Sequence, residues 1–506
     1  MQVTKHGNEG DREGIYIRGD FIRKKAKKHE SKGSMKITFN SSCLAQLEHL
    51  FHGIYEAGRP KPNDYYLRGD LVRVFNLMAK EVYGSCNEFP VVEAFGSFLM
   101  DMFSVKSDLD LSVNFSNESV ELPRDEKIKA LRKFAKKLYR LQSRGHVSGV
   151  NPIISAKVPI LKVIDCGTGI ECDISIENKD GVLKSQLVFI ISEIDERFQK
   201  LSSLMKAWAT AYNINSSKDQ TLNSLSIILL VAFHLQTREP PILPPFSALL
   251  KDGTNPETVR KVVQENLQYG KDNKESIAEL FATLLSKLAS VETLWPEGLC
   301  ASPYEGSWIS KTWDFKVGHI SVEDFTDRSQ NVARAVGTAG VKTIYKCVHS
   351  SLHHLSVFMD GKIEAPKLKA LLFGAEPISH IEKKAKVNRK RSFPFHESAA
   401  ATPLDPVATK KTRVKDGWSS WGEVDQAYGA IQNCLPSLIP PIPPEKPPFV
   451  IPGFDCAWQQ GSTGFKDVCG PVLHPCPVPQ YSGFDGAHGP VFPAAIGDTQ
   501  WNSWPM

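Results

Sequence analysis

None of the ten cysteines in this 506-residue chain forms a Cys-x-x-Cys pair. Cys456, Cys469, His474, Cys476 and His488 fit no usual zinc-finger spacing. The thiols therefore read as reduced side chains of an intracellular protein, not as a disulfide or zinc framework. Long apolar runs are also missing. The longest, near 227–233, is far too short to span a bilayer. The opening residues MQVTKHGNEGDREG are polar and charged, so no secretory signal is expected. These absences imply a soluble protein, cytoplasmic or nuclear, neither secreted nor membrane-bound. Nor does one sign of charge dominate. Lys and Arg total 61 against 56 Asp and Glu, a net charge of +5. The whole molecule is no strongly basic nucleic-acid binder, but its basic residues are clustered, and local patches outweigh the total.

What is present centres on residues 95–115, FGSFLMDMFSVKSDLDLSVNF. A Gly96-Ser97 pair is followed by ten residues and then by Asp108-Leu109-Asp110 in an apolar run. Side chains two apart on a strand share a face, so Asp108 and Asp110 would aim at one point while Leu109 and Leu111 face the core. Adjacent carboxylates repel unless a cation sits between them. Hard oxygen ligands suit Mg2+. The Gly-Ser turn offers backbone N–H groups and a hydroxyl to a phosphate. The stretch resembles the signature of a nucleotidyltransferase palm.

Along the chain, residues 1–39 read as a mobile basic leader, with Arg23, Lys24, Lys25, Lys27 and Lys28 in one run. The alternative is a role in nucleic-acid binding or nuclear import. Residues 40–84 show two helical stripes. One is Leu44, Leu47, Leu50 and Phe51; the other is Leu71, Val72, Phe75, Leu77 and Met78. Both helices are expected to pack on a helical central domain. Residues 85–192 read as the α/β palm. A strand at Val91–Phe95 precedes the Gly-Ser turn, and a basic amphipathic helix spans about 125–144, ended by Gly145. Strand-like runs follow at 153–163, where Pro159 marks an edge or bulge, and at 170–176. Residues 193–380 read as helical, with segments near 195–212, 221–236, 256–265, 276–291 and 330–355. Residues 381–506, rich in proline and glycine and without apolar periodicity, read as a disordered tail.

A D-x-D alone is common. A third acid, Asp173, makes the pattern specific, because it lies among Ile170, Ile174 and Ile176 in a second strand. A carboxylate there needs a partner. Three carboxylates on neighbouring strands can hold two Mg2+ ions about 4 Å apart. Such a centre would activate an attacking 3′-hydroxyl and hold a triphosphate; the protein's remaining task is positioning and charge neutralisation. The other reading is that Asp173 pairs with a lysine or caps a turn.

The run VPILKVIDCGTGIECDISIENKDGVLKS, with SEIDERFQKLSSLMKAWATAYNIN and TLNSLSIILLVAFHLQT, resembles the Cid-type terminal RNA nucleotidyltransferases. The likeness is to the plant branch that uridylates small RNAs, the Hen-one suppressor type, and covers roughly 40–350. It implies an α+β architecture in which a polymerase-β-like palm, a mixed sheet with helices, packs on a mainly helical central domain. It implies transfer of uridines to an RNA 3′ end from UTP, with Mg2+ and with Mn2+ able to substitute. Asp108, Asp110 and Asp173 match the metal triad, and Gly96 and Ser97 match the phosphate-binding turn. Lys206 matches a triphosphate-contacting lysine. Ser224 matches a triphosphate-contacting serine at a helix start, where the dipole favours anions; a helix cap is the plain alternative. Lys184 stands near the place of a ribose-contacting asparagine. Glu323, Asp324 and Asn331 fall in a stretch like the nucleotide recognition motif.

The chain departs from the family in three places. Thr210 replaces a second lysine, and Leu225 replaces a base-stacking tyrosine, a contact worth roughly 1–3 kcal/mol for single-stranded bases. Phe325-Thr326 replaces the usual Pro-Phe, and Gln330 stands where some uridylyltransferases have a uracil-selecting histidine. Two alternatives therefore stay open: an adenylyltransferase using ATP, and a weakened paralogue acting as an RNA-binding scaffold. In the tail, basic clusters at 383–391 and 410–415 suit RNA phosphate, import or plain solvation. Trp418 and Trp421, in GWSSWG, resemble the hooks that enter tryptophan pockets on Argonaute proteins.

Overall fold

The computed structural model describes residues 9–34, 40–84, 90–115, 122–311, 313 and 318–374. The tail expected at 381–506, including Trp418 and Trp421, lies outside the described residues. In chain order the elements are helices α1 (Glu9–Ser34), α2 (Ser41–Gly58) and α3 (Pro62–Tyr83), then β1 (Val91–Phe95), α4 (Gly96–Leu99) and β2 (Leu109–Asn114). Next come α5 (Arg124–Ser143), β3 (Val147–Ile153), β4 (Ile160–Asp165) and β5 (Glu171–Ile176). The helical part runs through α6 (Lys179–Ser192), α7 (Glu196–Ala211), α8 (Ser224–Gln236), α9 (Phe246–Leu249), α10 (Pro256–Glu265) and α11 (Ile277–Ser290). A hairpin of β6 (Leu299–Ser302) and β7 (Ser307–Ser310) leads to α12 (Thr338–Met359) and α13 (Ala365–Phe373). Among the described residues, no helix is long and apolar enough to cross a membrane.

The fold is α+β, with a mixed five-stranded sheet in the order β1-β2-β5-β4-β3. β2 and β5 run parallel; the other neighbours are antiparallel. One face of this sheet makes a dry core. Leu109, Leu111, Leu161, Val163, Cys172 and Ile174 are fully buried there against Leu131, Phe134 and Leu138 of α5. α5 buries Leu131, Phe134, Ala135, Leu138 and Leu141 on one face, and Gly145 follows at φ +80°, a backbone angle that suits glycine. A second, larger core joins α2, α6–α8 and α10–α13.

The structure corrects four expectations. α3 does not pack on the helical core with α2. Its Leu71, Val74, Phe75, Met78 and Ala79 enter the palm core, and Leu77 faces solvent. The basic leader is no mobile strand of chain at 20–33, because α1 docks through buried Ile22 and Ala26. The run 153–163 is split, with Pro159 in the loop between β3 and β4. Helix α12 also starts later than 330, at Thr338. Asn331 holds the preceding segment: its side chain accepts from the backbone N–H of Val322 and Ala333 and donates to the Ile320 carbonyl. Such side-chain bonds compete with helix formation.

Candidate active site

Strand register builds the site. Asp110 stands opposite Asp173 across the parallel β2–β5 pair, and Lys162 stands opposite Asp173 across β4–β5. These three side chains share the sheet face turned away from α5, since their strand neighbours are buried on the other side. Oxygens of Asp108, Asp110 and Asp173 lie within 4.8 Å of one another. Asp108 is exposed, Asp110 half-buried and Asp173 buried. Burial, then the charges of Asp108 and Asp173, hold the Asp110 carboxyl well above the usual carboxylate range. Burial likewise raises Asp173, although Lys162 opposes it. Three hard oxygen donors with excess negative charge fit a divalent cation such as Mg2+.

The turn after β1 is shaped around Asp110. Gly96 adopts φ +67°, and a Cβ there would lie 2.0 Å from Asp110 Oδ2. Its N–H donates to Ser185 Oγ at 2.8 Å, and that hydroxyl donates to the Gly181 carbonyl. The Ser97 hydroxyl has no partner among the described residues. Lys206, on α7, donates to the Met102 carbonyl at 2.6 Å. Burial lowers its ammonium to about 8, while Asp108 and Asp110 pull the value back up. Lys206 thus faces the carboxylates, as does the turn. Ser224 is the first residue of α8, not its cap. Asn223 is the cap, accepting from Ser226 N–H at 2.8 Å, and Ser224 shares a hydrogen bond with Asn215.

The remaining expected residues are held within the protein. Lys184 is buried and donates to Asp180 and Asp324, both at 2.6 Å. Burial lowers its ammonium, but the two carboxylates carry the balance upward. Asp324 also accepts from the N–H and hydroxyl of Thr326. Glu323 is fully buried, bonded to Ser302, Lys311 and Arg328. Asn331 spends its amide on the loop described above. Leu225 is half-buried against the helical core, and Gln330 accepts from Lys157 at 3.0 Å.

Three further residues shape the site. Lys162 Nζ donates to both oxygens of Asp173, at 2.8 and 2.9 Å, and to Glu171. The pairing of Asp173 with a lysine is thus present alongside the triad. Arg68, only 1% exposed, donates to the carbonyls of Ser104, Val105 and Ser107, so it ties down the loop that delivers Asp108. Its guanidinium also lies over Phe103, 4.8 Å from the ring centre. Ser185 anchors Gly96. The alternation of Lys162 between Leu161 and Val163 is the one sequence signal among these, and it carries no partner without the strand register.

Residues 47–193 match the family described as "Poly(A) RNA polymerase, mitochondrial-like, central palm domain". Protein HESO1 of Arabidopsis thaliana is 36% identical over 281 residues, covering 51% of this chain and 54% of that protein. The human speckle targeted PIP5K1A-regulated poly(A) polymerase is 27% identical over 256 residues, covering 47% of this chain and 29% of its own length. The chain spans about half or less of these curated relatives. A cytoplasmic RNA terminal U-transferase structure superimposes with TM-score 0.52 at 19% identity, over 66% of this chain and 99% of that one. A structure of mtPAP with UTP matches with TM-score 0.52 at 17% identity, over 68% of this chain and 75% of its own. These likenesses establish the polymerase-β-like fold.

Proposed function

We infer from its resemblance to the Cid-type terminal RNA nucleotidyltransferases that this chain adds nucleotides, chiefly uridines, to RNA 3′ ends without a template. The observation that carries the reading is the convergence of Asp108, Asp110 and Asp173 beside the Gly96-Ser97 turn. Their oxygens would hold Mg2+, or Mn2+ in its place, which supplies charge neutralisation at the transferring phosphate. Ser97 would bind the triphosphate through its hydroxyl, while Gly96, its own N–H held by Ser185, lets the turn pass close to Asp110. Lys206 adds a cation on the same side. Asp173 serves the incoming 3′-hydroxyl, and Lys162 fixes the orientation of its carboxylate. Ser224 offers its hydroxyl at the positive end of α8.

Asp324, held by Lys184, and Gln330, held by Lys157, are assigned to the base, with Glu323 and Asn331 bracing the segment that carries them. Support for uridine comes from the small-RNA-uridylating branch named above and from the likeness to Protein HESO1 and an RNA terminal U-transferase. Trp418 and Trp421 are assigned to Argonaute contact.

The test is to incubate the full chain with end-labelled RNA, Mg2+ or Mn2+, and each nucleoside triphosphate in turn. UTP alone should give a ladder. A ladder with ATP alone would identify an adenylyltransferase. Bound RNA with no extension under any condition would identify a scaffold.

A further inference from the structure

We propose that the outward face of α1 binds the phosphodiester backbone of RNA, upstream of the 3′ end that enters the cleft. The helix divides its side chains at helical period. On the inner face Ile22 and Ala26 are 3% and 0% exposed. Lys25 pairs with Glu297 at 2.7 Å, and Glu30 accepts from Trp308 Nε1 and pairs with Lys287. His29 Nδ1 lies 3.1 Å from the Ser290 carbonyl. A Cβ on Gly33 would stand 3.1 Å from Ser290 Cβ, so α1 sits close on α11.

The outer face is a cationic stripe. Arg23, Lys24, Lys27, Lys28 and Lys32 are exposed. The ammonium groups of Lys24, Lys27, Lys28 and Lys32 have no ion-pair or hydrogen-bond partner among the described residues, and the Arg23 guanidinium reaches only Asp20, at 3.9 Å. These lysines follow one another at i, i+3, i+4 and i+8, along about 12 Å of helix at the usual rise. Like charges so spaced repel and weaken the helix by a few tenths of a kcal/mol per pair. A polyanion relieves that repulsion.

Geometry separates RNA from the other polyanionic or receptor partners. A membrane-surface helix needs a continuous free apolar face, and here Ile22 and Ala26 are covered by α11 and β7, which, among the described residues, leaves Phe21 alone as a large apolar side chain among the outward lysines. An import receptor reading the segment as an extended peptide would have to break the Lys25–Glu297 and Glu30–Trp308 contacts. An RNA strand needs only the charges as they stand. The β6–β7 hairpin that α1 rests on also carries Val322, through its bridge to Ala301, next to Glu323 and Asp324. The stripe is therefore braced on the same small sheet as the segment carrying Glu323 and Asp324.

This inference rests on the RNA-directed reading above, but its test needs no chemistry. Fluorescence anisotropy would follow a labelled 20-nucleotide RNA binding to the full chain in EDTA, without nucleotide, across a salt series. The variant K24Q/K27Q/K28Q/K32Q should bind at least tenfold more weakly near 0.1 M salt. Its slope of log affinity against log salt should be smaller by about 3, at ~0.7 per phosphate contact for a single strand. Arginine at the same four positions should restore both. Photocrosslinking of thiouridine RNA to α1 peptides in the unsubstituted chain reads the same contact. Unchanged affinity and slope with no crosslink to α1 would overturn the proposal. So would loss of import-receptor or anionic-vesicle binding in the glutamine variant with RNA affinity intact. A chain that binds RNA through α1 yet extends nothing would overturn the transferase reading and leave this one standing.

Discussion

The α-hydrogen side of Gly96 and the carboxylate of Asp110 occupy space that a methyl group would need: a Cβ on Gly96 would lie 2.0 Å from Asp110 Oδ2. Asp110 is fixed on β2, so the new group must displace the carboxylate or the turn. The backbone at φ +67° adds strain of roughly 1–2 kcal/mol for a non-glycine residue. Gly96→Ala should therefore fold but lose about 100-fold in nucleotide addition, the usual scale for a displacement near 1 Å at reacting groups. Steady-state kinetics beside a thermal melt would check this; wild-type rates in the variant would refute it.

Lys162 and a divalent cation serve the same carboxylate. The ammonium donates to both oxygens of Asp173, and these bonds, against the effect of burial, hold its pKa above the usual lysine value. Lys162→Met leaves a buried acid without a counter-charge. Lys162 is itself partly exposed, which discounts the loss to about 1 kcal/mol in EDTA. Mg2+ should then stabilise the variant more than the wild type. Urea unfolding with and without Mg2+ measures both increments, and equal increments would contradict the pairing.

His234 predicts an acid-side loss of stability. It is fully buried, bonded to Thr283 Oγ1, and burial followed by Lys287 and Arg238 depresses its pKa well below the usual value. The unfolded side chain titrates near 6.5. Below that pH the unfolded chain takes up a proton that the folded chain refuses, so stability falls as pH drops. One such proton gives a slope of up to about 1.4 kcal/mol per pH unit. His234→Gln should flatten the difference between pH 6.5 and 5.5 in denaturant titrations.

Asn223 couples the start of α8 to the segment before α12. Its Oδ1 accepts from Ser226 N–H, and its Nδ2 donates to the Val332 carbonyl at 2.8 Å. Asn223→Ala should cost about 1–2 kcal/mol, the upper range for a lost cap. Asn223→Asp keeps the cap and loses the donor, so it should fall between. Chemical denaturation of the three proteins orders them.

How much of this was readable beforehand follows from which interactions are local. Asp108 and Asp110 are two apart on one strand, and Asp173 is an acid among isoleucines, so periodicity and burial alone single them out. α10 begins at Pro256 after the cap Asn255 and ends at Glu265, as its local signals imply. Arg68 is different. Its partners are carbonyls 36 to 39 residues later, and no pattern marks them. Lys162 meets Asp173 only through the β4–β5 register. The docking of α1 depends on a matching surface of α11 and β7, which its own composition does not reveal. α2 and α3 carry similar apolar stripes, yet they enter different cores because each stripe fits a different neighbour.

The most direct test of the account is extension of a 5′-labelled RNA by the full chain with UTP and Mg2+, wild type beside Asp173→Asn. The account predicts a ladder of added uridines from the wild type and an unextended band from the variant, which keeps the side chain's shape but not its charge. An equal ladder from both proteins, or none from the wild type with any nucleoside triphosphate, would contradict it.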